Sequence, residues 1–116
     1  MARILLVDDD EEFLSLIREY LGACGFQSEV AENVAKARAW LQCSQFDAVL
    51  SDFNMPGESG LDLLSHVLSS YPGLPFILMS GSAGLEISAR ELDYMEFIPK
   101  PFEFKEMVSV LEKALG

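Results

Sequence analysis

Five times along this chain of 116 residues a short apolar run gives way to a stretch whose apolar residues recur at helical spacing. That alternation constrains the fold more than any other feature. The runs cover residues 2–7, 27–31, 47–51, 76–79 and 95–98. Between them, Phe13, Leu14, Ile17, Leu21 and Cys24 recur at helical spacing until Gly25 ends the element, and Asn33 caps a helix carrying Val34, Ala37 and Leu41. A turn with Pro56-Gly57 leads to a helix with Leu61, Leu64, Val67 and Leu68, closed by Pro72, Gly73 and Pro75. A short helix is expected around residues 85–92, and the last helix carries Met107, Val108, Leu111 and Leu115. Strands alternating with helices form a parallel sheet covered on both faces through right-handed crossovers. A closed barrel needs eight such units. The first, third and fourth runs are nearly all apolar, as central strands must be, whereas residues 27–31 are polar enough for an edge. The prediction is an α/β fold: a doubly wound, five-stranded parallel sheet of order 2-1-3-4-5 with five helices.

Half the residues are apolar, enough for one domain spanning 1–116 with a single core. The formal charge of −11 argues against direct contact with nucleic acid, where affinity rests on Lys and Arg neutralising phosphates. The first apolar run follows one Arg and ends in three aspartates, unlike a signal peptide or a membrane span, so a cytoplasmic protein without membrane contact is expected. Cys24 and Cys43 lack metal-type spacing and are expected to be buried or partly buried free thiols. Trp40 and the methionines read as packing, and His66 as a surface or half-buried side chain.

The chemistry sits where the apolar runs stop. Asp8 and Asp9 follow the first run, Asp52 the third, Ser80 the fourth and Lys100 the fifth. In a parallel sheet these positions share the carboxyl edge, where open α/β sheets hold their ligands. Carboxylates brought together repel and raise one another's pKa, a conflict that a divalent cation removes. A few carboxylates with open positions suit magnesium better than a calcium cage. Asp10 is best read as a helix cap. Asp52, delivered to a loop by a buried strand, can attack phosphorus once cations neutralise the phosphoryl oxygens, giving a mixed anhydride. Lys100 is the candidate cation, and Ser80 can donate a hydrogen bond to a phosphoryl oxygen.

The segments Ile4-Leu5-Leu6-Val7-Asp8-Asp9-Asp10, Ser51-Asp52-Phe53-Asn54-Met55-Pro56-Gly57-Glu58-Ser59-Gly60-Leu61, Met79-Ser80-Gly81 and Phe97-Ile98-Pro99-Lys100-Pro101-Phe102 together resemble the receiver domain of two-component response regulators, over essentially the whole chain. The resemblance implies a flavodoxin-like receiver fold in which Asp52 is the phosphoacceptor, taking phosphate from a histidine kinase or a histidine phosphotransfer protein. It implies that Asp9, Asp52 and the Asn54 backbone carbonyl bind Mg2+ directly, with Mn2+ able to substitute, while Asp8 acts through a metal-bound water. Ser80 becomes the switch hydroxyl, Lys100 the phosphate-binding amine, and Phe97 the switch aromatic that alters the face made by the fourth helix, fifth strand and fifth helix. Lys100-Pro101 matches the family's cis peptide, and Asn54 and Ser82 lie where receivers tune phosphate lifetime. An effector or output domain is implied, and self-association into a homodimer stays open. The chain would then be no turnover enzyme. The alternative is an aspartyl-phosphate phosphatase, which wants a second acid where Asn54 stands and a substrate-covering cap. Residues 81–96 depart from the family by being short and by lacking a glycine after the fourth helix, a place that Asp93 can fill, so a short or distorted fourth helix is expected.

Overall fold

The computed structural model describes residues 2–55, 57–81 and 96–116. Its five strands, β1 (Arg3–Val7), β2 (Gln27–Ala31), β3 (Ala48–Asp52), β4 (Phe76–Ser80) and β5 (Glu96–Pro99), form one parallel sheet in the order β2-β1-β3-β4-β5. The described helices are α1 (Glu11–Ala23), α2 (Val34–Cys43), α3 (Gly60–Ser70) and α4 (Phe104–Leu115). The helix expected near residues 85–92, Ser82 and the turn position assigned to Asp93 lie outside the described residues. Among the described residues no helix is long and apolar enough to cross a membrane.

Strand periodicity divides the core in two. Side chains alternate across a sheet, so Ile4, Leu6, Leu50, Ile77 and Met79 pack with Leu14, Ile17 and Leu21 of α1 and Met107 and Leu111 of α4. Leu5, Val7, Val49, Phe76 and Leu78 pack on the other face with Val34, Ala37 and Leu41 of α2 and Leu63, Leu64 and Val67 of α3. Every residue of β3 and β4 is buried, which requires helices on both faces. In the edge strand β2, Gln27 is exposed and Glu29 half-buried.

Side-chain caps place the helices that flank the carboxyl edge. Asp10 is the N-cap of α1, accepting from the Phe13 N–H at 3.1 Å, as expected of it. Asn33 caps α2 in the same way, from the Lys36 N–H at 2.8 Å. Ser59 and Asp62 form a reciprocal capping box at the start of α3. The first residue of that helix, Gly60, has no room for a side chain: a Cβ there would overlap the Asp52 carbonyl oxygen and come within 2.8 Å of Leu78 Cδ1. Glycine thus lets α3 start against the end of β3.

Two expectations are corrected. β3 and β4 run one residue further than the apolar runs, so Asp52 and Ser80 are the last residues of their strands; a ladder is satisfied by backbone groups whatever the side chain, and it continues through Phe53 N–H to Met79 O at 2.8 Å and Lys100 N–H to Ser80 O at 2.8 Å. Cys24 and Cys43 are exposed free thiols, because α1 turns its buried face through Leu21 and ends before Cys24, while α2 buries Leu41 and ends with Cys43 on the outside.

Candidate functional site

Sheet register decides which polar residues meet. Val7 pairs with Ser51, Asp52 with Met79 and Ser80 with Pro99, so Asp8, Asp52, Ser80 and Lys100 arrive at one edge within two residues of one another. Asp8 is 1% exposed and doubly anchored: its backbone N–H donates to Ala31 O at 3.1 Å, and its Oδ1 accepts from the Asp10 N–H at 3.0 Å. Its Oδ2 lies 3.1 Å from Lys100 Nζ, which also stands 3.2 Å from Asp52 Oδ1. One ammonium therefore bridges the ends of β1 and β3. The exposed Asp9 completes a cluster in which one carboxylate oxygen from each of Asp8, Asp9 and Asp52 lies within 4.8 Å of the others. Asp9 also borders a cleft of about 290 Å³ with Phe53, Asn54, Met55 and Ser59.

Burial, more than mutual repulsion, makes Asp8 and Asp52 unusual. Burial raises the Asp8 carboxyl above its ordinary value, with Asp52 adding to the rise, and the Asp10 N–H and Lys100 offset only part of it. Asp52 is also raised by burial, against the pull of Lys100 and with help from Asp9. For Lys100, burial disfavours the charged amine, but Asp8 and Asp52 together outweigh it and the net shift is upward. Among the described residues three carboxylates gather around one ammonium, a surplus of two negative charges in a partly desolvated place. Hard oxygen donors with surplus charge and an open side fit a small divalent cation such as magnesium.

The family model for the response regulator receiver domain matches residues 4–112. The chain belongs to that family. The receiver is 35% identical over 117 residues to the DNA-binding transcriptional regulator NtrC of Azospirillum brasilense, and 32% identical over 115 residues to that of Escherichia coli K12. These matches cover 99% and 97% of the receiver, which spans about a quarter of the relatives' length, 24% in each case. Among solved structures, the non-phosphorylated HemR receiver domain from Leptospira biflexa superposes with a TM-score of 0.90 at 32% identity, covering 100% of this chain and 95% of that one. The response regulator TrrA from Thermotoga maritima, in complex with Mg(2+)-BeF, gives 0.89 at 28% identity over 98% and 99% of the two chains. Receiver domains bind Mg2+ at an acidic pocket, and here the Asp8, Asp9 and Asp52 cluster is that pocket.

Of the residues singled out in the sequence, Asp8, Asp9, Asp52 and Lys100 converge directly. Ser80 is buried at the end of β4, its carbonyl taken by the Lys100 N–H, and Asn54 is exposed two residues beyond Asp52. The Lys100-Pro101 peptide is cis. Phe97 stands apart from the polar cluster: it pairs with Leu78 in register and lies half-buried against the core on the α2–α3 side. The sequence marks Phe13 only as an apolar residue at helical spacing, and the structure gives it a further contact beside its packing on the core. Its ring lies under Lys100, with Nζ 4.6 Å from the centroid. The available signal was its place three residues after the cap Asp10, which brings it back to the mouth of the site.

Proposed function

We propose that the chain is a single receiver domain, residues 1–116, in which Asp52 accepts a phosphoryl group from the phosphohistidine of a sensor histidine kinase or a histidine phosphotransfer protein. An Asp52 carboxylate oxygen attacks phosphorus, the new O–P bond forms as the N–P bond breaks, and the electron pair returns to the donor imidazole. The observation that carries this reading is the Lys100 ammonium held between Asp8 and Asp52 at 3.1 and 3.2 Å, where an arriving phosphoryl oxygen can take over its hydrogen bonds. Asp9, Asp52 and the Asn54 backbone carbonyl would hold Mg2+, or Mn2+ in its place, with Asp8 acting through water. When bound, the cation neutralises phosphoryl oxygens and offsets the surplus charge of the acids.

Ser80 donates its hydroxyl to the new phosphoryl group, and the shift this favours passes to Phe97 and so to the face that meets a partner. Asn54 stands where an aspartyl-phosphate phosphatase would need its second acid, so the domain is a phosphoacceptor and not a turnover enzyme. Its relatives are DNA-binding regulators about four times its length, which supports an output domain as the effector. The net charge of −11 leaves nucleic-acid contact to other parts of such a protein. A kinase-facing role supports a cytoplasmic location. Incubation with magnesium and acetyl phosphate should add one phosphoryl group by intact mass, and Asp52→Ala should add none. An undiminished adduct in that variant would assign the phosphate elsewhere.

A further inference from the structure

Lys100 has a third partner besides its two carboxylates. Its Nζ lies 4.6 Å from the centroid of Phe13, within the range where a cation is attracted to an aromatic face. The ring is fixed from behind: Phe13 makes edge contacts with Phe102 at 6.1 Å and Phe104 at 6.4 Å, and Tyr20 closes on Phe104 at 5.3 Å. Phe102 lies two residues beyond Lys100, and Phe104 opens α4, so the aromatic cluster ties α1 to the segment that carries the amine. Asp10, Phe13, Gly81, Lys100, Pro101 and Phe102 border a cleft of about 480 Å³ at this point. A lysine stem has several rotatable bonds and its head is strongly hydrated, so a carboxylate pair alone leaves the amine free to tilt outward into that cleft.

We propose that Phe13 is a positioning residue for Lys100, its ring face holding the ammonium at the mouth of the site so that it meets an arriving phosphoryl oxygen. The carboxylates attract the amine most strongly before phosphate arrives; the ring attracts it equally before and after. As the amine turns from Asp52 toward the phosphoryl group, Phe13 is the partner that stays. An aliphatic side chain of similar bulk would fill the aromatic cluster without supplying this face. The proposal rests on the phosphoacceptor reading for its kinetic consequence but not for its geometry.

The test compares Phe13→Leu with Phe13→Trp in the 116-residue chain. Protons on the Lys100 ε-carbon above a ring face are shielded, so their NMR signals should lie upfield in the wild type, move to ordinary lysine positions in Phe13→Leu and stay upfield in Phe13→Trp. With acetyl phosphate and saturating magnesium, the phosphorylation rate should fall about three- to tenfold in Phe13→Leu and recover in Phe13→Trp, a change within reach of one cation–π contact. Magnesium affinity, which depends on the untouched acids, should stay within twofold in both. Wild-type ε-proton shifts in Phe13→Leu overturn the proposal, as does an unchanged rate in that variant while Asp52→Ala remains inert. An equal loss in both variants would mean that bulk and not the ring face matters, which also overturns it. Phosphorylation that survives Asp52→Ala would instead refute the phosphoacceptor reading, and the NMR comparison would still decide the ring's role.

Discussion

The surroundings of Arg3, where β1 begins, and the carboxyl edge, where it ends, handle charge in opposite ways. Around Arg3 each charge has a match: its backbone N–H donates to Asp47 Oδ2 at 2.7 Å, its guanidinium is 3.8 Å from Glu29, and the same group lies over Phe46 at 4.8 Å and Trp40 at 5.9 Å. Glu29 also takes Arg18 at 3.6 Å. Five residues further along the sequence, Asp8 is buried in a cluster whose acids, among the described residues, outnumber the one ammonium of Lys100. Cavity size points the wrong way: a cavity of about 560 Å³ opens near the start of β3, between Leu41, Phe46, Tyr71 and Leu74, against about 290 Å³ beside Asp9. Unbalanced buried charge marks the functional end, because a protein keeps such an arrangement only if something else completes it.

The largest effect on that contrast comes from removing the Lys100 ammonium. Lys100→Ala should slow phosphorylation by acetyl phosphate about 100-fold, on the scale of losing one preorganised charge from a phosphoryl-transfer site; a rate within threefold of wild type would remove Lys100 from the chemistry. Next comes the cation. Magnesium at about 100 times its dissociation constant should stabilise the fold by about 2.7 kcal/mol, raising Tm by several degrees, and Asp9→Ala should abolish most of that rise. A full magnesium shift in that variant would move the metal away from the acid cluster.

A smaller effect tests the strain directly. Burial raises the folded Asp8 carboxyl, so the native state binds its proton more tightly than the unfolded chain does. The stability contributed by the neutral acid is present below the ordinary carboxylate value, 3.8, and is lost as pH rises above it. Asp8→Asn keeps the acceptor for the Asp10 N–H and removes the charge. In chelator-treated protein this variant should be more stable than wild type at neutral pH, with the gap closing as pH falls toward about 4. Thermal melts across that range check it, and a less stable variant at neutral pH would show that the pairing with Lys100 outweighs the burial. The smallest effect belongs to the balanced end: Arg3→Ala should cost about 1 kcal/mol, the loss of two exposed cation–π contacts and a half-exposed ion pair, and leave the phosphorylation rate unchanged.

Much of the site was legible in the sequence because it is written in strand ends. A run such as Ile4-Leu5-Leu6-Val7 announces a central strand, and parallel pairing then places the residue after it at a known edge. Asp8, Asp9, Asp52 and Lys100 could be grouped before any coordinate was known. The Asp10 cap was equally local, since it needs only a side chain three residues from an open N–H. The fate of the two cysteines was not, because exposure at a helix end depends on where the helix stops and on what covers it. The contact of Phe13 was hidden for a related reason: helical spacing says which face a ring is on, not that an amine 87 residues later in the sequence will lie over it.

The sequence by itself determined the layered α/β architecture, the order of the strands and the identity of the acids, because period-two and helical patterns and strand-end chemistry are local properties. Tertiary structure decided that Asp8 and Asp52 share the Lys100 ammonium. Burial is the largest cause of the raised Asp8 and Asp52 carboxyls, Gly60 makes room for α3 against the Asp52 carbonyl, and an aromatic cluster between α1 and α4 stands beneath Lys100. These are matters of packing between segments far apart in the chain, and such distances are set by the whole core at once.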